Sequence, residues 1–150
     1  MESHLQALEI THAISSSGAT SKPRQHVPFL VHCVSGQTLK KIAAAFYRTS
    51  TGTEPVRDWL KGLSAEDRHE IGQDLATVEY GWPVGMPVCR PLGQGLWEVR
   101  SNLPGNRIAR VIFCIVQRHM VLLHGFIKKT QKIPDEDLAL ARKRMKEIEQ

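Results

Sequence analysis

The sequence has few cysteines and no long apolar run, and each shortage excludes a class of protein. Its three cysteines are an odd number without close spacing, which is typical of reduced thiols and argues against a disulfide framework or a zinc site. The longest apolar run near the N-terminus, residues 27–31, is too short to cross a bilayer and lacks the basic start and cleavage site of a signal peptide. We therefore expect a cytoplasmic protein without a membrane segment.

The short motifs of several enzyme classes are also absent. There is no Gly-x-Ser-x-Gly elbow and no P-loop, and the Gly93–Gly95 stretch is too short to cradle a phosphate. No pair among the seven histidines has the i, i+4 spacing, with an acid between, of a helical metal site. We therefore expect no metal and no cofactor.

The charge is unevenly distributed along a chain whose length is typical of one domain. The chain has 150 residues, 41% of them hydrophobic and 23% charged, which is ordinary for one globular domain. The net charge is +5, but residues 90–132 hold eight bases against one acid, a net +7, while residues 54–79 hold seven acids against three bases, a net −4. This asymmetry indicates a surface that faces a polyanion.

The chain divides into a tail and a domain. Residues 1–35 are rich in serine, with glycine and proline, and are predicted to be a flexible extension, whereas 36–150 form the domain. The predicted elements are a strand at 39–47, a helix at 56–62, a helix that starts at Ser64 and stops near Gly81, strands at 96–103, 107–116 and 119–128, and a helix at 134–150. The order β-α-α-β-β-β-α predicts an α+β fold, with helices packed on one face of a small, mostly antiparallel sheet.

Cations on the predicted strands are the strongest functional signal. The second and third strands carry Arg100 and Arg110, and the fourth is followed by a run with three lysines, Lys128, Lys129 and Lys132. Adjacent strands lie about 5 Å apart, so these cations can converge on one phosphate. The alternative is a solvated basic face without chemistry. Glu98, the one acid nearby, is a candidate ion-pair partner for either arginine.

Four strings of the sequence resemble a known family. They are LWEVR at 96–100, IARVIF at 108–113, VLLHGFIKKTQKIP at 121–134 and ALARKR at 139–144. Together they resemble the phage-derived Gp49-like family of HigB-type toxins, within the RelE/ParE superfamily. The resemblance covers roughly residues 38–147. Two positions depart from the family pattern: Ala109 stands where many members have Tyr, and Ile133 where many have Thr.

The resemblance implies the toxin of a type II toxin–antitoxin module with a RelE-like fold. Many such toxins enter the ribosomal A site and cut mRNA without a metal, and the usual protein partner is a helix-turn-helix antitoxin. The strand arginines of the family correspond to Arg100 and Arg110, and its lysine pair to Lys128 and Lys129. The departures remove a base-stacking or acid candidate at Ala109 and a helix cap at Ile133.

RNA supplies its own nucleophile, the ribose 2′-hydroxyl, so the protein need only position groups, move two protons and neutralise charge. Arg100 and Arg110 are the candidates for charge stabilisation, and Lys128 or Lys129 for acid–base catalysis. His124 and Glu98 are further acid–base candidates, with a packed histidine and a structural ion pair as their alternatives. The candidate RNA-binding residues are Arg90, Arg107, Lys132 and Trp97, of which Trp97 has core packing as its alternative.

Two other functions compete with an endoribonuclease. A ParE-like relative would keep the fold but inhibit DNA gyrase. A decayed toxin would keep RNA binding or another interaction without catalysis, and residues 1–35 could fold back onto its basic face. The convergent arginine and lysine set favours RNA cleavage over gyrase inhibition, whereas the departure at Ala109 would be an early sign of a decayed toxin.

Overall fold

The computed structural model describes residues 39–128 and 132–149, and the extension predicted at 1–35 lies outside them. In the described part the elements are β1 (Ala43–Phe46), α1 (Pro55–Lys61), α2 (Ala65–Gly81), β2 (Cys89–Gly93), β3 (Leu96–Leu103), β4 (Arg107–Val116), β5 (His119–Lys128) and α3 (Asp135–Ile148). Three predicted strands, now β3, β4 and β5, have the bounds that their composition indicated. None of these three helices has the length and apolarity that a membrane crossing requires.

The five strands form one sheet in the order β1-β5-β4-β3-β2. Only β1 pairs in parallel, with β5, and the other pairs are antiparallel, which confirms the α+β fold with a mostly antiparallel sheet. The strand β2 was not predicted. It is short, contains Pro91 and lies at the sheet edge, where a residue without an N–H is tolerated.

The sheet is covered on both faces, and this corrects the expectation that all helices share one face. Ile71 and Leu75 of α2 pack in one apolar cluster with Val111 and Phe113 of β4. Met145 of α3 belongs to a second cluster. This cluster includes Ile112 and Cys114 of β4, which alternate with Val111 and Phe113. Because successive strand residues point to opposite faces, α1 and α2 lie on one side of the sheet and α3 on the other.

Local sequence signals fix where α2 and α3 begin. The Oγ of Ser64 accepts a hydrogen bond from the backbone N–H of Asp67 at 3.2 Å, so Ser64 caps α2 as the sequence predicts. At α3 the N-cap is Pro134, and the preceding Ile133 is buried in the same cluster as Leu138. Ile133 and Leu138 hold the N′ and N4 positions of a hydrophobic staple, so Ile133 adds an apolar anchor at this helix start and the cap position is Pro134.

A break in strand pairing ties α3 to the sheet. The pairing of β4 with β5 shifts after Ile112, which leaves Leu123 as the extra residue of a bulge. The carbonyl oxygen of Leu123 accepts a hydrogen bond from Nη1 of Arg144 at 2.6 Å. The guanidinium of Arg144 also lies 5.6 Å from the ring centre of Tyr47, whose hydroxyl donates to Glu147. Burial lowers the pKa of Arg144 and raises that of Tyr47. The C-terminal half of α3 is therefore fixed by polar contacts as well as apolar ones.

Candidate nucleic-acid interface

The face of the sheet under α3 has an apolar half and a charged half. Beneath α3 it presents Leu96, Ile112 and Cys114. Further along the same strands it presents cations, and their register places them on one face: Arg90 pairs with Glu98, and Arg100 pairs with Arg110. Lys128 of β5 pairs with Ile108, two residues from Arg110, and so joins the same face. We name Arg90, Arg100, Arg110 and Lys128 the cationic face; it draws one residue from each of four adjacent strands.

A buried carboxylate organises two of these cations. Glu98 is fully buried, and its Oε2 lies 2.9 Å from Nη1 of Arg110, which is also buried. The Oε1 of Glu98 lies 3.2 Å from Nε of Arg90, whose side chain is 43% exposed. Glu98 is therefore an ion-pair partner of Arg110, as predicted, and its second partner is Arg90, where Arg100 was the other candidate. Because Glu98 is fully buried, its carboxylate has no exposed surface that a molecule in solution could contact.

The other two cations of this face, Arg100 and Lys128, do not contact Glu98 in the described part of the chain. Both side chains are partly exposed. Within residues 39–128 and 132–149, the structure gives neither side chain a hydrogen bond or an ion pair. A partly exposed cation without a carboxylate partner keeps its charge available for an anion. The face thus combines a buried, paired arginine with two cations that are open to binding.

An imidazole lies at the border between the apolar and charged halves. The Nε2 of His124 is 2.8 Å from Oδ1 of Asp137, in the first turn of α3, and the two side chains are 17% and 19% exposed. The ring of Phe126 stacks on the His124 ring, with 5.5 Å between centroids and 29° between planes. Phe126 pairs directly with Arg110 across the strands. The imidazole is therefore held on two sides, next to the cationic face.

Three predicted site residues lie elsewhere or at the margin. Arg107 is on the other side of the sheet, where Nη1 and Nη2 bind the carboxylate of Asp67 at 2.8 and 2.9 Å. Trp97 faces the same side and packs edge-on against Trp82, with 4.9 Å between ring centroids, so it belongs to the core under α2. Lys132 is exposed beyond β5. The predicted residue Lys129 lies outside the described part of the chain.

The departure at Ala109 does not touch the cationic face. Ala109 is 1% exposed and packs in the cluster under α1 and α2, because it alternates with Arg110 along β4. A larger side chain at this position would therefore enter the opposite side of the sheet.

The two cysteines in the described part of the chain are inert core residues. Burial raises the pKa of both the Cys89 and the Cys114 thiol to about 11, so both remain protonated at neutral pH. Neither cysteine takes part in a disulfide in the described part of the chain. No group of three or more His, Cys, Asp or Glu side chains in 39–128 and 132–149 is arranged to hold a metal ion.

Comparison with known proteins identifies a family. The family model described as phage-derived protein Gp49-like matches residues 58–146, more than half of the chain. The match spans the cationic face, His124 and Asp137, and it confirms the resemblance seen in the sequence strings. This family is associated with toxin–antitoxin modules, which implies an antitoxin as partner. No individual curated protein matches the chain.

Proposed function

The chain belongs to the phage-derived Gp49-like family, and from that premise we propose that it is a type II toxin that cleaves mRNA on the ribosome. The observation that carries the proposal is the convergence of Arg90, Arg100, Arg110 and Lys128 on one face of the sheet. A strip of cations that crosses four strands suits the repeated charges of a nucleic-acid backbone. RNA is favoured over DNA as the substrate because only RNA brings a 2′-hydroxyl as nucleophile.

The proposed reaction is an internal transesterification. The 2′-oxygen attacks the adjacent phosphorus, the bond from phosphorus to the 5′-oxygen breaks, and the products carry a 2′,3′-cyclic phosphate and a 5′-hydroxyl. The 2′-hydroxyl gives up one proton and the leaving oxygen takes up another. In the transition state the phosphate carries extra negative charge, which fixed cations stabilise without having to reorganise. The protein thus contributes positioning, charge and proton transfer.

Burial divides the roles among the cations. Arg100 and Lys128 are partly exposed and are assigned to the scissile phosphate, with the Lys128 ammonium able to donate to the leaving oxygen. Arg110 is buried against Glu98 and is assigned to shaping the face rather than to primary contact. The exposed part of Arg90 extends the site towards the sheet edge, where a flanking phosphate would bind. Arg107 and Trp97 are left out, because their side chains lie on the other side of the sheet.

The partners follow from the same face. An antitoxin would neutralise the protein by covering or distorting the cationic face, and the family resemblance favours a helix-turn-helix protein for this role. The ribosome would supply the mRNA in a fixed path, so that a small cationic face suffices. We place this activity in the cytoplasm, where translation takes place.

The test is induced expression in a bacterium, with mapping of mRNA 5′ ends by primer extension. We expect the wild-type protein to arrest growth and to produce new 5′ ends within translated messages. We expect Arg100→Ala and Lys128→Ala to slow cleavage by about tenfold to thousandfold each, the range found when one preorganised electrostatic group is removed. The matched control is Lys61→Ala, which removes the same charge from the exposed end of α1, far along the chain from the cationic face.

The outcomes separate the competing functions. Cleavage in a translation extract with ribosomes, but not on free mRNA, would support the ribosome-dependent activity. Full toxicity of both Arg100→Ala and Lys128→Ala would contradict the assigned site. Growth arrest without new mRNA ends, together with loss of DNA supercoiling by purified gyrase, would instead indicate the gyrase-inhibitor alternative. Binding of RNA with neither arrest nor cleavage would indicate a decayed toxin.

A further inference from the structure

The contact between His124 and Asp137 joins the sheet to α3 beside the cationic face. Asp137 is in the first turn of α3, and its Oδ1 lies 2.8 Å from Nε2 of His124. In a capping box the residue at this helix position reaches back to the N–H of the N-cap. Here the N-cap is Pro134, which has no N–H, so the carboxylate of Asp137 is not drawn to that contact and meets the imidazole instead.

This contact selects one tautomer of the imidazole. An ionised carboxylate can only accept hydrogen bonds, so the proton of a neutral His124 ring lies on Nε2. Nδ1 is then the nitrogen that carries the free lone pair. The stacked ring of Phe126 restricts rotation from the other side, with an interplanar angle of 29°. Two neighbours therefore fix both the direction of the ring and the place of its proton.

The border position places this ring near the cations. His124 is two residues from Phe126 along β5, and Phe126 pairs with Arg110. Two residues along a strand span about 7 Å. The groups that face this region are Lys128 on β5, Arg110 on β4 and Glu98 on β3, with Asp137 and Arg144 on α3. Only Asp137 in this set is given a hydrogen bond to the imidazole.

We propose that Asp137 and His124 form a carboxylate–imidazole pair in which His124 is the general base and Asp137 its positioning residue. The inference rests on the proposed RNA cleavage. Nδ1 of His124 takes the proton of the 2′-hydroxyl as the 2′-oxygen bonds to phosphorus, and the 5′-oxygen leaves with a proton from the Lys128 ammonium. The carboxylate of Asp137 stabilises the imidazolium that forms. Proton exchange with water then restores both groups.

The first experiment measures the tautomer, which needs no activity. Long-range ¹H–¹⁵N correlation spectra of the purified protein are recorded at an alkaline pH at which the spectra show a neutral ring, and His124→Gln identifies the signal. We expect a neutral ring protonated at Nε2 in the wild type. We expect Asp137→Asn to shift the population towards protonation at Nδ1, because an amide can donate as well as accept. Asp135→Asn is the matched control, since it removes a charge from the same helix turn at an exposed position.

The second experiment measures cleavage on mRNA-programmed ribosomes in single turnover. We expect Asp137→Asn and His124→Gln to lower the maximal rate by about a hundredfold or more, with binding to the ribosome unchanged. Asp135→Asn should cleave at the wild-type rate. A purely structural role for the pair would instead lower the melting temperature and weaken binding along with the rate.

The results distinguish a failure of this inference from a failure of the proposed function. If the wild type cleaves and Asp137→Asn cleaves equally fast, the pair has no catalytic role although the function stands. A wild-type ring protonated at Nδ1 would also overturn the inference. If the wild-type protein does not cleave mRNA on ribosomes at all, the proposed function fails, and the role of His124 as a base fails with it.

Discussion

The two faces of the sheet are built from the same strands but are used differently. Under α1 and α2 the face is apolar, with Val99, Val111 and Phe113 buried in one cluster. The charged residue at its margin, Arg107, is bound to a carboxylate of α2. Under α3 only half of the face is apolar, and the rest carries Glu98 and the cationic face. One side thus stabilises the fold, and the other also leaves charge accessible.

The difference follows from how much of each face a helix covers. The 17 residues of α2 supply a long apolar stripe to one side, whereas the 14 residues of α3 pack near one end of the other side, on β4 and β5. Among the described residues, no helix packs on the strand positions that carry the cationic face, so polar residues can be accommodated there. The strands of the charged half-face therefore provide a rigid platform, and the start of α3 beside them provides the carboxylate of Asp137.

The largest stability effect is expected at the buried ion pair on the charged half-face. We expect Glu98→Ala to lower the free energy of unfolding by about 3–5 kcal/mol, because it leaves the buried Arg110 without this carboxylate. Urea denaturation at neutral pH measures the loss. The control is Glu66→Ala, an exposed acid in α2.

A double variant sharpens this test of the charged half-face. Glu98→Leu combined with Arg110→Leu replaces the pair by apolar side chains and should recover much of the stability lost by Glu98→Ala. If the cationic face acts as proposed, the double variant will remain impaired in RNA cleavage even where it is stable. If the double variant were as unstable as Glu98→Ala, apolar side chains would be unable to replace the ion pair in the folded protein.

A smaller effect is expected from one methyl group on the apolar face. A Cβ at Gly125 would lie 2.4 Å from Cε3 of Trp59, so α1 packs on β5 only if residue 125 has no side chain. We expect Gly125→Ala to lower the free energy of unfolding by about 1–3 kcal/mol through overpacking. Thermal unfolding measures it, with Gly85→Ala as control, because a Cβ there meets nothing within 4 Å. Equal stability of the two variants would mean that α1 moves aside without cost.

Alternation along the strands shows how far the sequence could predict this site. Arg100 and Arg110 were expected to converge, and their pairing places them side by side. Trp97 is one position from Glu98, and Arg107 is three positions from Arg110. Residues an odd number of positions apart on a strand point to opposite faces, so the sequence alone could have assigned Trp97 and Arg107 to the opposite face. This alternation was visible in the sequence, but the net charge of residues 90–132 counts every base alike, whichever face of the sheet it lies on.

Other features depend on contacts that no local pattern contains. The apolar stripe of α3 predicts that the helix packs on the sheet but not on which face, because either face of an alternating strand can be apolar. Three acids begin α3, and the sequence predicts only that they favour the helix N-terminus. Which of them meets His124 depends on the helix phase and on the path of the chain from β5. Asp137 was missed for that reason.

The smallest effect on the free energy of unfolding is expected at the partly exposed ion pair between Arg107 and Asp67, on the apolar face. The dependence of this free energy on pH measures the effect. Hydrogen bonds from Arg107 hold the pKa of Asp67 below the ordinary range of an aspartic acid. A carboxyl whose folded-state pKa is lowered stabilises the protein above its unfolded value, about 4, and this contribution is lost as the pH falls through the folded-state pKa. We therefore expect wild type to exceed Asp67→Asn in stability at pH 7, and the difference to shrink by about pH 3.

Urea denaturation of the wild type and of Asp67→Asn at both pH values checks this expectation, with Asp58→Asn as the control at an exposed acid of α1. The difference should be well below that for Glu98→Ala, because the Arg107 side chain is 35% exposed and water screens the pair, whereas Arg110 and Glu98 are buried. If the difference were as large as at Glu98 and independent of pH, solvent exposure would not distinguish the two ion pairs. The extent to which a helix covers each face would then not explain why the loss of Asp67 is tolerated on one face and the loss of Glu98 is not tolerated on the other.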